Sequence, residues 1–130
     1  MEKYNLFIID DALPILNLTK KYFENEYNVS TYENAKLCLE DLKKGEILPH
    51  VIICDLTMPE MNGDEFISII KNDSSLSRIP VIILSASDDT NSKIKLLKLG
   101  ADDFVIKPFN FEELSLRIKN LFKRFIFITQ

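Results

Sequence analysis

The chain has 130 residues, 46% of them hydrophobic and 28% charged, with a net charge of −4. That length suffices for one domain burying roughly two thirds of its unfolded surface, no apolar run approaches the ~18 residues of a membrane span, and the negative balance offers no general attraction to nucleic acid or an anionic membrane. The expectation is a cytoplasmic module that touches neither DNA nor membrane itself, with Cys38 and Cys54 as reduced packing thiols.

The N-terminal YNLFIIDD enters an apolar run without the basic start, long apolar stretch or small-residue cleavage site of a secretion signal. This run predicts a first strand closing on Asp10 and Asp11. In the helix that follows, Ala12, Ile15, Leu16, Leu18, Thr19, Tyr22 and Phe23 are expected on the buried side, opposite Asn17, Lys21 and Glu24. YNVST reads as a second strand and residues 33–44 as a second helix. VIIC is the third strand, ending at Asp55 before a break on Pro59 and Gly63, and the third helix covers 63–73. VIIL is the fourth strand and ends at Ser85; in the fourth helix, 90–99, Leu96 and Leu99 point one way and Ile94 and Leu97 another. DFVI is the fifth strand, followed at once by Lys107 and Pro108, and the fifth helix, 110–124, turns Phe111, Leu114, Ile118, Leu121 and Phe122 inward. Residues 1–124 are expected to be the domain, and the apolar FIFITQ of 125–130 a tail or the start of a linker.

Five apolar runs alternating with five helical segments argue for an α/β fold, a parallel sheet covered by helices on both faces. In such sheets ligands bind outside the carboxyl ends of the strands. If the first strand lies beside the third, Asp10, Asp11 and Asp55 converge there, flanked by the Ser85 hydroxyl and the Lys107 ammonium. Three close carboxylates repel one another unless a cation or a proton intervenes. Mg2+ meets that need, because it takes oxygen ligands and binds carboxylates together with phosphoryl oxygens. The set is a phosphoryl-transfer site with Asp55 as nucleophile, and no general base is required because a carboxylate is already ionised at neutral pH. Each residue also has a plainer reading: Asp11 or Ser85 as a helix cap, Asp55 as a turn residue, Lys107 as a solvated lysine. Singly those readings prevail, but their joint occurrence at one sheet edge is improbable as accident.

These residues carry a resemblance to the receiver domain of two-component response regulators, spanning residues 4 to 124 through IIDD (8–11), DLTMPEMNG (55–63), ILSA (83–86) and GADDFVIKPF (100–109). The resemblance implies a flavodoxin-like, doubly wound five-stranded parallel sheet in the order 2-1-3-4-5. It implies that Asp55 accepts a phosphoryl group from a histidine kinase or phosphotransfer protein. Mg2+, with Mn2+ as a substitute, would be bound by Asp11 and Asp55, by Asp10 through a water and by the Thr57 carbonyl. Lys107, Ser85 and the Ala86 amide would hold the phosphoryl oxygens, and a cis bond before Pro108 would aim the lysine inward. Thr57 and Ser87 occupy the positions that tune attack by water. Ser85 and Phe104 would form the switch, the ring turning into space that Ser85 vacates; as a Phe it has no hydroxyl to bond outward. The protein would be a signalling phosphoacceptor that catalyses only its own phosphorylation and dephosphorylation.

The GADDFVIKPFNFEELSLRIKNLFKR segment is similar to dimerising receivers of winged-helix transcription regulators. By that likeness Asp103 with Arg117 and Lys93 with Glu113 would pair across a two-fold axis around Ile94 and Leu97, although Ser115 replaces the usual small apolar residue. KNDSSLSRIPVIILSA and FEELSLRIKNLF are equally like receivers of hybrid sensor kinases. Thr57 stands where a dehalogenase-type phosphatase needs its second acid, and the three glycines form no phosphate loop. A receiver-like module that is never phosphorylated would lack an acid or the lysine, and all are present. His50 is expected at the surface, Met58 and Met61 as loop packing, and Cys54 facing away from the site.

Overall fold

Alternation of apolar runs and amphipathic segments resolves into ten elements: β1 (Asn5–Ile9), α1 (Leu13–Phe23), β2 (Asn28–Tyr32), α2 (Ala35–Lys44), β3 (Val51–Asp55), α3 (Gly63–Lys71), β4 (Val81–Ser85), α4 (Thr90–Leu99), β5 (Asp103–Ile106) and α5 (Phe111–Phe122). The structure, a computed structural model, describes residues 3–86 and 89–124. Ser87 and the 125–130 tail or linker therefore lie outside the described residues. All strand pairs are parallel and the order is β2-β1-β3-β4-β5, the doubly wound topology expected. None of the described helices is long and apolar enough to cross a membrane.

The two central runs, VIICD of β3 and VIILS of β4, are buried at all five positions, because helices cover both sheet faces there. On one face Phe7, Ile9, Ile52, Cys54 and Ile83 pack with Cys38 and Leu42 of α2, Phe66 and Ile70 of α3 and Leu96 of α4. On the other, Leu6, Ile8, Ile53, Ile82 and Leu84 meet Leu16 and Phe23 of α1 and Leu114, Ile118 and Leu121 of α5. Each such aliphatic side chain contributes about 1.5–3 kcal/mol by leaving water.

Helix ends follow local chemistry. Asn34 caps α2 by accepting the Leu37 N–H, and Asn110 caps α5 by accepting those of Glu112 and Glu113. Gly45 ends α2 with φ 67°, a left-handed conformation that suits glycine. The expected buried side of α1 proves too wide: Leu16, Thr19 and Phe23 are buried, whereas Ala12, Ile15, Leu18 and Tyr22 are exposed. Within that second stripe Tyr22 stacks on Phe111 of α5 with ring centres 4.8 Å apart, and Ile15 and Leu18 stay exposed.

Candidate functional site

Sheet topology brings the site together. With β1 between β2 and β3, the residues ending β1 and β3 lie at adjacent strand ends, and Ile9 pairs with Cys54 in the ladder. Oxygens of Asp10, Asp11 and Asp55 all lie within 4.8 Å of one another. Asp10 and Asp55 are 1% and 7% exposed, while Asp11 faces solvent. From the far side Lys107 reaches across with Nζ 3.1 Å from Asp55 Oδ1 and 3.4 Å from Asp10 Oδ2. Ser85 is buried at the end of β4, its carbonyl accepting the Lys107 N–H at 2.7 Å, and the Lys107–Pro108 bond is cis as expected.

The plainer roles do not describe these side chains. Ala12, not Asp11, is the N-cap of α1, with Pro14 in the first turn, and Asp89 caps α4 in place of Ser85. Asp10 Oδ1 accepts the Ala12 N–H at 2.9 Å, which fixes that carboxylate under the helix start. Asp55 is buried rather than turned out, and Lys107 is held by two acids rather than solvated.

Burial raises the Asp55 pKa; Lys107 opposes this, and the charges of Asp10 and Asp11 add to it. For Lys107 burial works against the ammonium, yet its contacts with Asp55 and Asp10 outweigh it and the pKa is raised. Three carboxylates and one lysine leave two negative charges to be balanced at a sheet edge where Asp10 and Asp55 are buried. An all-oxygen donor set of this charge suits a hard divalent cation.

The loop after Asp55 is shaped by backbone contacts. Leu56 N–H donates to the Leu84 carbonyl, Gly63 N–H donates back to the Leu56 carbonyl at 2.7 Å, and Asn62 Oδ1 accepts the Met58 N–H. Glu60 takes a left-handed φ of 69°, which lets the chain double back after Pro59. Met58 is buried and Met61 packs on the core, both as loop packing. Thr57 is exposed beside the acids, Ala86 lies at the surface next to Lys107, and Cys54 faces the α2–α3 core.

On the α4–β5–α5 face, Ile94 and Leu97 are exposed and Leu96 is buried, the division read from the helix. Phe104 is partly buried against the core, with Lys93 Nζ 5.5 Å from its ring centre. Arg117 already meets Asp103 at 3.0 Å and Glu113 at 3.2 Å within the same chain. Asp103 and Glu113 thus have partners before any second copy approaches. Ser115 is buried in α5.

Three features escaped sequence reasoning. Lys71 Nζ donates to the Ser77 and Ile79 carbonyls and to Asp102 Oδ2, which also accepts the Val81 N–H, tying α3 to the starts of β4 and β5. His50 is half-buried rather than at the surface, because its Nδ1 accepts the Asn5 N–H at 2.9 Å and its ring packs edge-on to Tyr4. Beside Lys107 runs an apolar groove of about 450 Å³, lined by Ile15, Leu18, Ala86, Pro108, Phe109 and Phe111. The excess width of the apolar side of α1 was the available sign of this groove.

The family model described as the response regulator receiver domain matches residues 6–119. The chain is 39% identical over 120 residues to histidine kinase P4 of Formosa agariphila, covering 92% of this chain and 9% of that protein. It is 38% identical over 121 residues to response regulator SaeR of Staphylococcus aureus, covering 92% of this chain and 51% of that protein. The chain therefore spans about half the length, or far less, of these relatives. Among solved structures, the receiver domain of Francisella response regulator 1452 superposes with a TM-score of 0.83 at 32% identity, covering 94% of this chain and 98% of that one.

Proposed function

The chain belongs to the response regulator receiver domain family, and on that premise we propose that Asp55 accepts a phosphoryl group from the phosphohistidine of a histidine kinase or phosphotransfer protein. An Asp55 oxygen attacks phosphorus, the P–N bond breaks, and the departing imidazole nitrogen keeps the electron pair and takes up a proton. The observation that carries this reading is the convergence of three carboxylates within 4.8 Å beside an ammonium 3.1 Å from Asp55.

Asp10, Asp11, Asp55 and the Thr57 carbonyl would hold Mg2+, or Mn2+ in its stead. Bound there, the ion would offset charge on the transferring group. Lys107, the Ser85 hydroxyl and the Ala86 N–H receive the phosphoryl oxygens. Because Lys107 is shared between Asp55 and Asp10 beforehand, a donor trades one set of anionic partners for another rather than recruiting a distant cation. The groove along Ile15, Leu18 and Phe111 suits an apolar helix presenting the donor histidine to Asp55. The chain acts only on its own phosphorylation state, in the cytoplasm, with no nucleic-acid or membrane contact of its own.

Phosphorylation adds about −1.5 to −2 charges and three strong acceptors. Ser85 gains a bond by moving toward them, Phe104 follows, and the face carrying Lys93, Ile94, Leu97, Asp103, Glu113 and Arg117 is reshaped for an output partner or a second copy. Incubation with Mg2+ and acetyl phosphate should add one phosphoryl group by intact mass, and Asp55→Asn should abolish the addition. No added mass, or equal addition to Asp55→Asn, would refute the assignment. Sedimentation with beryllofluoride bound tests the dimer, and an unchanged monomer would reject it.

A further inference from the structure

A receiver switch that turns on a phenylalanine lacks the outward hydrogen bond a tyrosine would make, so something else must set the resting position of the ring. From the contacts of α4 we infer that Lys93 is that element: its ammonium on the Phe104 ring is a brake that holds the unphosphorylated state. The inference rests on the phosphoacceptor reading and names a regulator of the same site.

Lys93 lies in the first turn of α4 with Nζ 5.5 Å from the Phe104 ring centre, within the range of a cation–π attraction. Asp89, one turn earlier on the same helix, is engaged as the cap of α4, accepting from the Asn91 N–H and the Ser92 hydroxyl. Asp103 and Glu113 are both taken up by Arg117, Asp64 pairs with Lys95, and among the described residues Lys93 forms no ion pair. The ring is its principal partner. Phe104 lies in register with Ile83, two residues before Ser85 on β4, and its partly buried ring packs on the Leu96 side of the core.

On this inference, turning toward space vacated by Ser85 takes the ring away from the outer turn of α4, and the Lys93 contact belongs to the resting position alone. The contact therefore stabilises the resting state alone, and by linkage its removal must favour any ligand that binds the switched state. A partly exposed cation–π contact is worth about a two- to five-fold bias in that equilibrium. Release of Lys93 also frees an ammonium on the output face at the moment of switching, which an acidic group on a partner can then engage.

The chain is titrated with beryllofluoride in the presence of Mg2+, with amide resonances of β4 and β5 followed by NMR. Lys93→Met keeps the apolar stem and should lower the midpoint about two- to five-fold. Lys93→Arg, which restores a cation over the ring, should return it to the wild-type value, and Lys93→Met in a Phe104→Leu background should change nothing. Simple loss of positive charge near an anion site shifts the midpoint the other way, so a rise in Lys93→Met would overturn the brake. An unchanged midpoint, or the same shift with and without the ring, would overturn it equally. A wild-type chain that binds no beryllofluoride refutes the phosphoacceptor reading and the brake together, whereas normal wild-type binding with unresponsive variants refutes the brake alone.

Discussion

Gly63→Ala isolates the packing that sets Asp55 against the next helix. Gly63 opens α3, and a Cβ placed on it would lie 2.9 Å from the Asp55 carbonyl oxygen, 3.0 Å from Leu56 Cα and 3.2 Å from Ile83 Cδ1. Two of those atoms are backbone and cannot rotate aside, so either α3 or the end of β3 must move. Gly63 is not among the positive-φ glycines, Gly45 and Gly100, so alanine meets no conformational penalty there. Without the crowding, alanine in a helix would add about 0.5–1 kcal/mol of stability. Overpacking of this kind costs about 1–3 kcal/mol, leaving a net loss of up to about 2.5 kcal/mol, or a Tm lower by up to about 10 °C for a domain of this size. Because the displaced atom is the Asp55 carbonyl, phosphorylation by acetyl phosphate should slow as well. Gly45→Ala serves as the control: its Cβ meets nothing within 4 Å but its φ is 67°, so it should lose about 1 kcal/mol and phosphorylate normally. Urea unfolding and intact mass measure both properties. A Gly63→Ala chain as stable as wild type, with an unchanged phosphorylation rate, would refute the close-approach argument.

His50 and Lys71 give two more tests. Burial lowers the His50 pKa, and its Nδ1 is an acceptor for the Asn5 N–H that protonation would turn into a second donor. The folded chain thus prefers the neutral ring: the contribution is full above the unfolded value of about 6.5 and falls away as pH drops from there through the lowered folded value. Urea midpoints between about pH 7.5 and 5.5 should show a decline that His50→Asn lacks, and parallel profiles would reject the assignment. Lys71→Met leaves the Asp102 carboxylate and the Ser77 and Ile79 carbonyls without their ammonium, in a pair whose side chains are only 16% and 17% exposed. It should cost about 2–4 kcal/mol by urea unfolding, and a loss under about 0.5 kcal/mol, the ordinary spread of surface substitutions, would show the network to be dispensable.

What the sequence made legible, and what it hid, divides along physical lines. The buried runs of β3 and β4 are apolar because both sheet faces are covered, so composition alone reveals them. The acids at strand ends were legible only jointly, since each alone has a plainer reading and the strand order is what brings Asp10, Asp11 and Asp55 within 4.8 Å of one another. Helix α1 misled because its pattern records every apolar surface, including the groove side of Ile15 and Leu18, and periodicity cannot tell a core from a solvent-facing groove. His50 was misjudged for a different reason: a lone histidine carries no pattern, and only the β1–β3 pairing brings Asn5 to its Nδ1. Lys71 and Asp102, 31 residues apart, meet through a turn of the fold that no local spacing encodes.

The same ladder explains how chemistry at one edge can reach a face built from different elements. Ser85 pairs with Ile106 in register and its carbonyl accepts the Lys107 N–H, so the hydroxyl and the ammonium proposed to receive a phosphoryl group are carried at the ends of adjacent strands. Phe104 is two residues back along β5 on the same ladder, and Lys93 and Arg117 flank that strand from α4 and α5 through contacts with Phe104 and Asp103. In the proposed switch a displacement at Ser85 has only two residues of strand to cross before it meets the Phe104 ring. Coupling of the proposed kind would need no long relay, only a ring with two packings and contacts that favour one of them. Where Tyr would add a hydroxyl bond to that balance, this chain has an ammonium 5.5 Å from the ring centre, the contact through which the proposed brake would tie the charge pattern of this face to the state of Asp55.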